Sequence, residues 1–179
     1  MKKVLLMTCL AGVLVAFVSN AADEPVLNSH LELLRPLLGR TMKGTLNSAN
    51  SDKPPMVDVQ KWERALNGQA VRLTHSINDG FYGGETMFVW DEKRGAVVYY
   101  YFTTEGYMTS GTMVCTNSHY ICTEKVNGSA SGVQEVRSTS EVLPGGRFHV
   151  KAEYFKDGQW SFGHEITYCD DPKAAVVFK

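Results

Sequence analysis

Val57-Asp58-Val59-Gln60-Lys61-Trp62-Glu63-Arg64-Ala65-Leu66-Asn67-Gly68-Gln69-Ala70-Val71-Arg72-Leu73-Thr74-His75-Ser76-Ile77-Asn78 decides the fold of this chain. In its second arm Val71, Leu73, His75 and Ile77 fall on one side of an extended chain, and Arg72, Thr74 and Ser76 on the other. Asn67-Gly68 is a dipeptide that accepts two successive positive φ angles, so residues 57–66 and 69–78 read as a β-hairpin about a two-residue type I′ turn.

The same rhythm runs outward from this hairpin. Upstream, residues 40–48 alternate before a polar loop through Asn50-Ser51-Asp52-Lys53-Pro54-Pro55. Downstream, residues 85–91, 96–104, 107–116, 120–126, 134–143, 147–156 and 160–169 read as strands between short turn-forming links. Links this short force sequential strands to lie antiparallel, whereas a Greek-key sandwich needs longer crossings. A meander of this kind removes its two open edges by closing. The expected fold is all-β: a single antiparallel up-and-down β-barrel of about ten strands with a short N-terminal helix.

That helix comes from Ser29-His30-Leu31-Glu32, which has the form of a capping box. Leu31, Leu34 and Leu38 share one face with Leu33 and Leu37 beside them, Pro36 limits the length, and Gly39 ends it. A short amphipathic helix ahead of the strands is expected to plug one end of the barrel. Before it, Lys2 and Lys3 precede an apolar run from Val4 to Val18, and Ser19-Asn20-Ala21 supplies the small residues of a signal-peptidase site. The expected organisation is therefore a signal peptide over 1–21 and one domain over 22–179, in an exported protein that is periplasmic or extracellular. The apolar run is short for a membrane span, and no long apolar run recurs.

Composition narrows the function. Without Lys2 and Lys3, 16 of the 18 basic residues remain against 19 acidic ones, a net charge near −3. No basic field for nucleic acid follows from that balance, and the charges are scattered rather than blocked. Cys115, Cys122 and Cys169 survive processing. A four-residue loop would set Cys115 opposite Cys122 and allow a disulfide, while a two-residue turn would offset them; the register is not readable from sequence. No Cys-x-x-Cys pair or Gly-x-Ser-x-Gly elbow is present. Glu124, Glu135, Glu141, Glu153 and Glu165 lie on expected strands, and most alternate outward.

Three segments together resemble a family of uncharacterised bacterial lipocalin-like proteins. These are 66–72 (Leu-Asn-Gly-Gln-Ala-Val-Arg), 79–85 (Asp-Gly-Phe-Tyr-Gly-Gly-Glu) with Phe88-Val89-Trp90-Asp91, and Met108-Thr109-Ser110-Gly111-Thr112. Leu37-Leu38-Gly39-Arg40-Thr41-Met42-Lys43-Gly44 is similar to the Leu-x-Gly-x-Trp-x-Gly opening shared with nitrobindin-type haem barrels, with Met42 in the tryptophan position. The resemblance implies a calycin-like barrel around a cavity and carries no established activity. The nitrobindin branch holds haem through a C-terminal histidine. His164 stands in the last strand here without that branch's surrounding motif, so the cofactor stays unassigned.

Parity then selects candidate ligand-binding residues. His75 shares the apolar face of its strand, and His164 shares a face with Trp160, Phe162, Ile166 and Tyr168. Tyr154 lies with Phe148, Val150 and Ala152, opposite His149, which is expected in solvent. The run Tyr99-Tyr100-Tyr101-Phe102 turns two rings each way, so either Tyr99 and Tyr101 or Tyr100 and Phe102 face inward; the first pair joins the candidate set. With Trp90 the set is His75, His164, Tyr99, Tyr101, Trp90, Phe162, Trp160 and Tyr154, a wall suited to a small hydrophobic or amphipathic molecule. Two alternatives stand beside a binding protein. One is an isomerase or hydrolase with an interior histidine as base, marked by a hydrogen-bonded histidine–carboxylate pair. The other is a filled barrel acting in envelope protein interactions.

Overall fold

The computed structural model describes residues 26–48, 55–116, 119–128 and 131–179. The expected signal peptide over 1–21, most of the polar loop after 48 and the Asn117-Ser118 turn lie outside the described residues.

The chain forms ten antiparallel strands: β1 (Thr41–Ser48), β2 (Met56–Ala65), β3 (Ala70–Ile77), β4 (Tyr82–Asp91), β5 (Ala96–Thr103), β6 (Met108–Thr116), β7 (His119–Asn127), β8 (Glu135–Val142), β9 (Phe148–Lys156) and β10 (Gln159–Asp170). Each pairs with its sequence neighbours, and β1 also pairs with β10, Met42 opposite Asp170, so the sheet closes. Closure leaves no strand edge among these ten, which is the outcome the short links impose. Among the described residues no helix is long and apolar enough to cross a membrane.

A 3₁₀ helix, Ser29–Leu37, plugs one end. Its cap is Asn28, whose side chain accepts from the His30 N–H, rather than the expected Ser29. With three residues per turn, Leu31, Leu34 and Leu37 line up and bury; Leu38 falls off that face. They pack on Trp62, Phe88 and Phe148, and the Tyr120 hydroxyl donates to the Leu33 carbonyl at 2.9 Å. Around the rim of this end Arg40 bonds Asp170 at 2.8 Å and the Gly146 carbonyl, tying β1 to β10 and the β8–β9 turn.

Two local expectations change, and the open question of the cysteines resolves. The β2–β3 connection is a four-residue turn, since Ala65 pairs with Ala70 and Leu66, Asn67 and Gly68 all take positive φ. The N-terminal segment causes this: Asn28 N–H donates to the Gly68 carbonyl at 2.8 Å, and Val26 O lies where a Cβ on residue 68 would stand. Cys115 faces Tyr120 and Cys122 faces Met113, so the cysteines are offset and unbridged. Finally, β4 begins at Tyr82 rather than Glu85, taking Gly83 and Gly84 into the sheet.

Candidate functional site in the barrel lumen

The barrel is hollow. A cavity of about 880 Å³ runs from Leu34 and Leu37 of the plug, past Trp62, Phe88 and Phe148, to Phe81, Glu105 and Lys156 at the other end. Most of its wall is apolar or aromatic, with polar groups gathered in three places.

The first is a line of hydrogen bonds across β2, β3, β4 and β5. Asp58, 4% exposed, places Oδ1 3.0 Å from His75 Nδ1 and accepts from the Tyr168 hydroxyl at Oδ2 at 2.6 Å. His75 Nε2 lies 2.7 Å from the Tyr101 hydroxyl, which donates to Tyr82 at 2.9 Å; Tyr82 and Tyr107 hydroxyls are 2.9 Å apart. Each member has a partner, which makes a buried polar line tolerable in an apolar wall. Desolvation pushes the Tyr101 and Tyr82 hydroxyls far above the ordinary tyrosine value. It does the same to Tyr168, with the neighbouring Asp58 charge adding to the rise.

The second is His164, whose Nδ1 lies 2.7 Å from the Tyr154 hydroxyl. Burial lowers its pKa, opposed in part by the Asp58 charge and reinforced by His75. Desolvation carries the Tyr154 hydroxyl up to about 12.

The third is Glu124 on β7. Its Oε2 accepts from Thr109 Oγ1 at 2.7 Å, and Tyr99 also bonds it. Desolvation raises its pKa, against the pull of those two hydroxyls. Next to it, burial pushes the Cys122 thiol up to about 12, with the Glu124 charge adding to the rise.

Glycines inside strands make room for the rings. A Cβ on Gly111, opposite Tyr99, would stand 2.8 Å from the Tyr99 hydroxyl oxygen. One on Gly84 would enter the Tyr101 ring, and one on Gly163 would lie 2.7 Å from Tyr154. The Tyr101 and Tyr154 rings therefore lie against glycine backbone, and the Tyr99 hydroxyl end does the same at Gly111.

His75, His164, Tyr99, Tyr101 and Tyr154 of the candidate set all line the lumen. Trp160 and Phe162 do not. The β9–β10 register shifts between Phe162 and His164, a bulge at Gly163 that reverses parity, so Phe162 pairs with Glu153 on the outer face while His164 pairs with Ala152 inside. Trp160 and Phe162 are 37% and 39% exposed, and the Arg137 guanidinium sits 4.7 Å over the Trp160 ring. Trp90 lies at the plugged end, stacked on His30 at 3.7 Å, and takes no part in the cavity wall. His149 is on the outer face, 3.1 Å from Glu165.

Asp58, Tyr82, Tyr107 and Glu124 were not singled out by sequence. Glu124, expected outward, points in with Tyr120 and Cys122, because Ile121, Thr123 and Lys125 occupy the other face of β7 and hydrophobicity does not separate the two sets. Two signals were available. Asp58 shares parity with Trp62 in the deciding hairpin, and a glycine in a strand facing a tyrosine marks a ring laid over the sheet.

No family model matches the chain, and no curated protein does. Among solved structures, the crystal structure of Rv2717c from M. tuberculosis is similar, with a TM-score of 0.60 and 13% identity, covering 82% of this chain and 99% of that one. The class defined is a closed antiparallel barrel of ten strands, shared with that neighbour at the level of fold.

Proposed function

We propose that the protein is an exported carrier or sensor that holds a small amphipathic molecule in the barrel lumen. The observation that carries this reading is the lumen itself: about 880 Å³ of space lined by apolar and aromatic side chains, with a few hydrogen-bonding groups at fixed positions. Small barrels without a ligand role fill their interiors with side chains. Here glycines at 84, 111 and 163 let tyrosine rings lie against the wall and leave the centre open. The sequence resemblance to lipocalin-like barrels supports the same reading, and the signal-like N terminus supports export. The test is native mass spectrometry of protein purified without detergent. A co-purified mass of a few hundred daltons that is lost on denaturation is the expected result; a spectrum of bare chain, with no uptake of added amphiphiles, would overturn it.

Haem fits this lumen incompletely. Tyr154 holds Nδ1 of His164 and leaves Nε2 without a hydrogen bond to a described residue, so an axial nitrogen is present. Among the described residues Lys156 is the one lysine or arginine lining the cavity to meet two propionates, and the wall also carries Glu124. The native mass spectrum would reveal bound haem directly.

One observation favours catalysis as a second reading: the histidine–carboxylate pair His75–Asp58 beside the cavity. Asp58 orients the ring, and Nε2 meets the Tyr101 hydroxyl, so proton transfer to a bound molecule would pass through Tyr101. Turnover of nitrophenyl esters above background, lost in His75→Ala and in Tyr101→Phe, is the outcome that supports it; rates equal in all three proteins would remove it for ester hydrolysis.

A further inference from the structure

Charge inside the lumen is one-sided. Among the described residues, Asp58, Glu105 and Glu124 line it against a single lysine, Lys156. Lys156 lies at the mouth, where its Nζ donates to the Ser131 carbonyl at 2.9 Å. Asp58 has both oxygens answered, by His75 and Tyr168. Glu124 differs: among the described residues its partners are the hydroxyls of Thr109 and Tyr99, and no cation pairs with it.

The groups around it come from every neighbouring element. Tyr99 of β5 lies opposite Gly111 and Gly111 opposite Glu124, so the Tyr99 hydroxyl and Glu124 sit over the same glycine; Thr109 of β6 bonds Glu124, and Cys122 on its own strand, Tyr101, Tyr154 of β9 and Ser138 of β8 line the same lumen. All are neutral hydroxyl or thiol groups, and three of them are phenol rings. A carboxyl among aromatic rings with no cationic partner is the environment that takes an ammonium group: the carboxylate supplies charge and the ring faces supply cation–π attraction. An anionic head group, such as a fatty acid carboxylate, would meet Glu124 with no buried lysine or arginine among the described residues to offset it.

We propose that the lumen is selective for cationic amphiphiles and that Glu124 anchors their ammonium head. The proposal rests on the lumen being a ligand site. Because burial holds Glu124 above the usual carboxyl range, an ammonium bound beside it favours the ionised form, and binding releases a proton wherever Glu124 is still protonated. Affinity for a cation therefore rises with pH as Glu124 ionises.

Calorimetric titration of the full chain with decyltrimethylammonium, decanol and decanoate, each below its micelle concentration, tests this. At about pH 8 the ammonium should bind about ten-fold more tightly than either of the others; this advantage should shrink below about three-fold at pH 5 and in Glu124→Gln. Within the pH range where the ammonium affinity is still rising, titration of the unmodified protein in two buffers of different ionisation enthalpy should show proton release with the ammonium and none with decanol, a readout independent of how the variant folds. Equal affinity for decanol and the ammonium, or an ammonium advantage that Glu124→Gln retains, would overturn the assignment while leaving the lumen as a binding site. Failure of all three to bind would overturn both.

Discussion

At the scale of single residues, the lumen carries two groups whose titration is displaced in opposite senses. His164 is held neutral by burial, with its folded pKa below the unfolded value of about 6.5. The unfolded chain therefore binds the extra proton first, and stability is lost as pH falls below about 6.5, by up to about 1.4 kcal/mol per pH unit until the folded value is passed. Urea denaturation at a series of pH values should show this slope in the parent protein and a shallower one in His164→Gln; identical slopes would contradict it. Glu124 runs the other way. Its folded pKa lies above the unfolded value of about 4.3, so stability is lost as pH rises through that window, and Glu124→Gln should remove the loss. These two residues also show what sequence could reveal. His164 was legible because Ile166 and Tyr168 share its face. Glu124 was hidden, because both faces of β7 mix apolar and polar side chains and the strand gives no inward signature.

At the scale of elements, hydrophobic alternation and turn dipeptides located all ten strands to within a few residues, since each strand has only its two faces to offer and each link is too short for any other connection. What they could not locate was a break in parity. Trp160 and Phe162 read as lumen residues by counting in twos, and Gly163 cancels the count by bulging. The same glycine seats Tyr154, so Gly163→Ala places a Cβ 2.7 Å from that ring and should cost about 1–3 kcal/mol in urea denaturation. A cost near zero would mean the ring is not held there. The turn between β6 and β7 has a comparable effect on chemistry. With Thr116 paired to His119, Cys115 and Cys122 are offset. Alkylation of the denatured, unreduced protein should label both, and a mass two daltons short with both unlabelled would contradict the register.

At the scale of the molecule, the leucine plug, the closed sheet and the tyrosines laid over glycine combine into a container open toward the turns that carry Phe81, Glu105 and Lys156. Closure is legible in the sequence because a ten-strand meander with short links leaves two edges that pairing the first strand with the last removes. Hollowness does not, since it depends on ring orientations set by Gly84, Gly111 and Gly163 across strands distant in sequence. The central claim is that this space takes up a small molecule. Ser138 lines it from β8, and a tryptophan there would occupy the lumen without touching the outer surface. Fluorescence titration with Nile red, a neutral amphipathic dye, measures the claim most directly. The account predicts saturable binding of one dye per chain that Ser138→Trp abolishes while the barrel keeps its β-sheet circular dichroism. Dye binding that is absent from the parent protein, or unchanged in the filled variant, would contradict it.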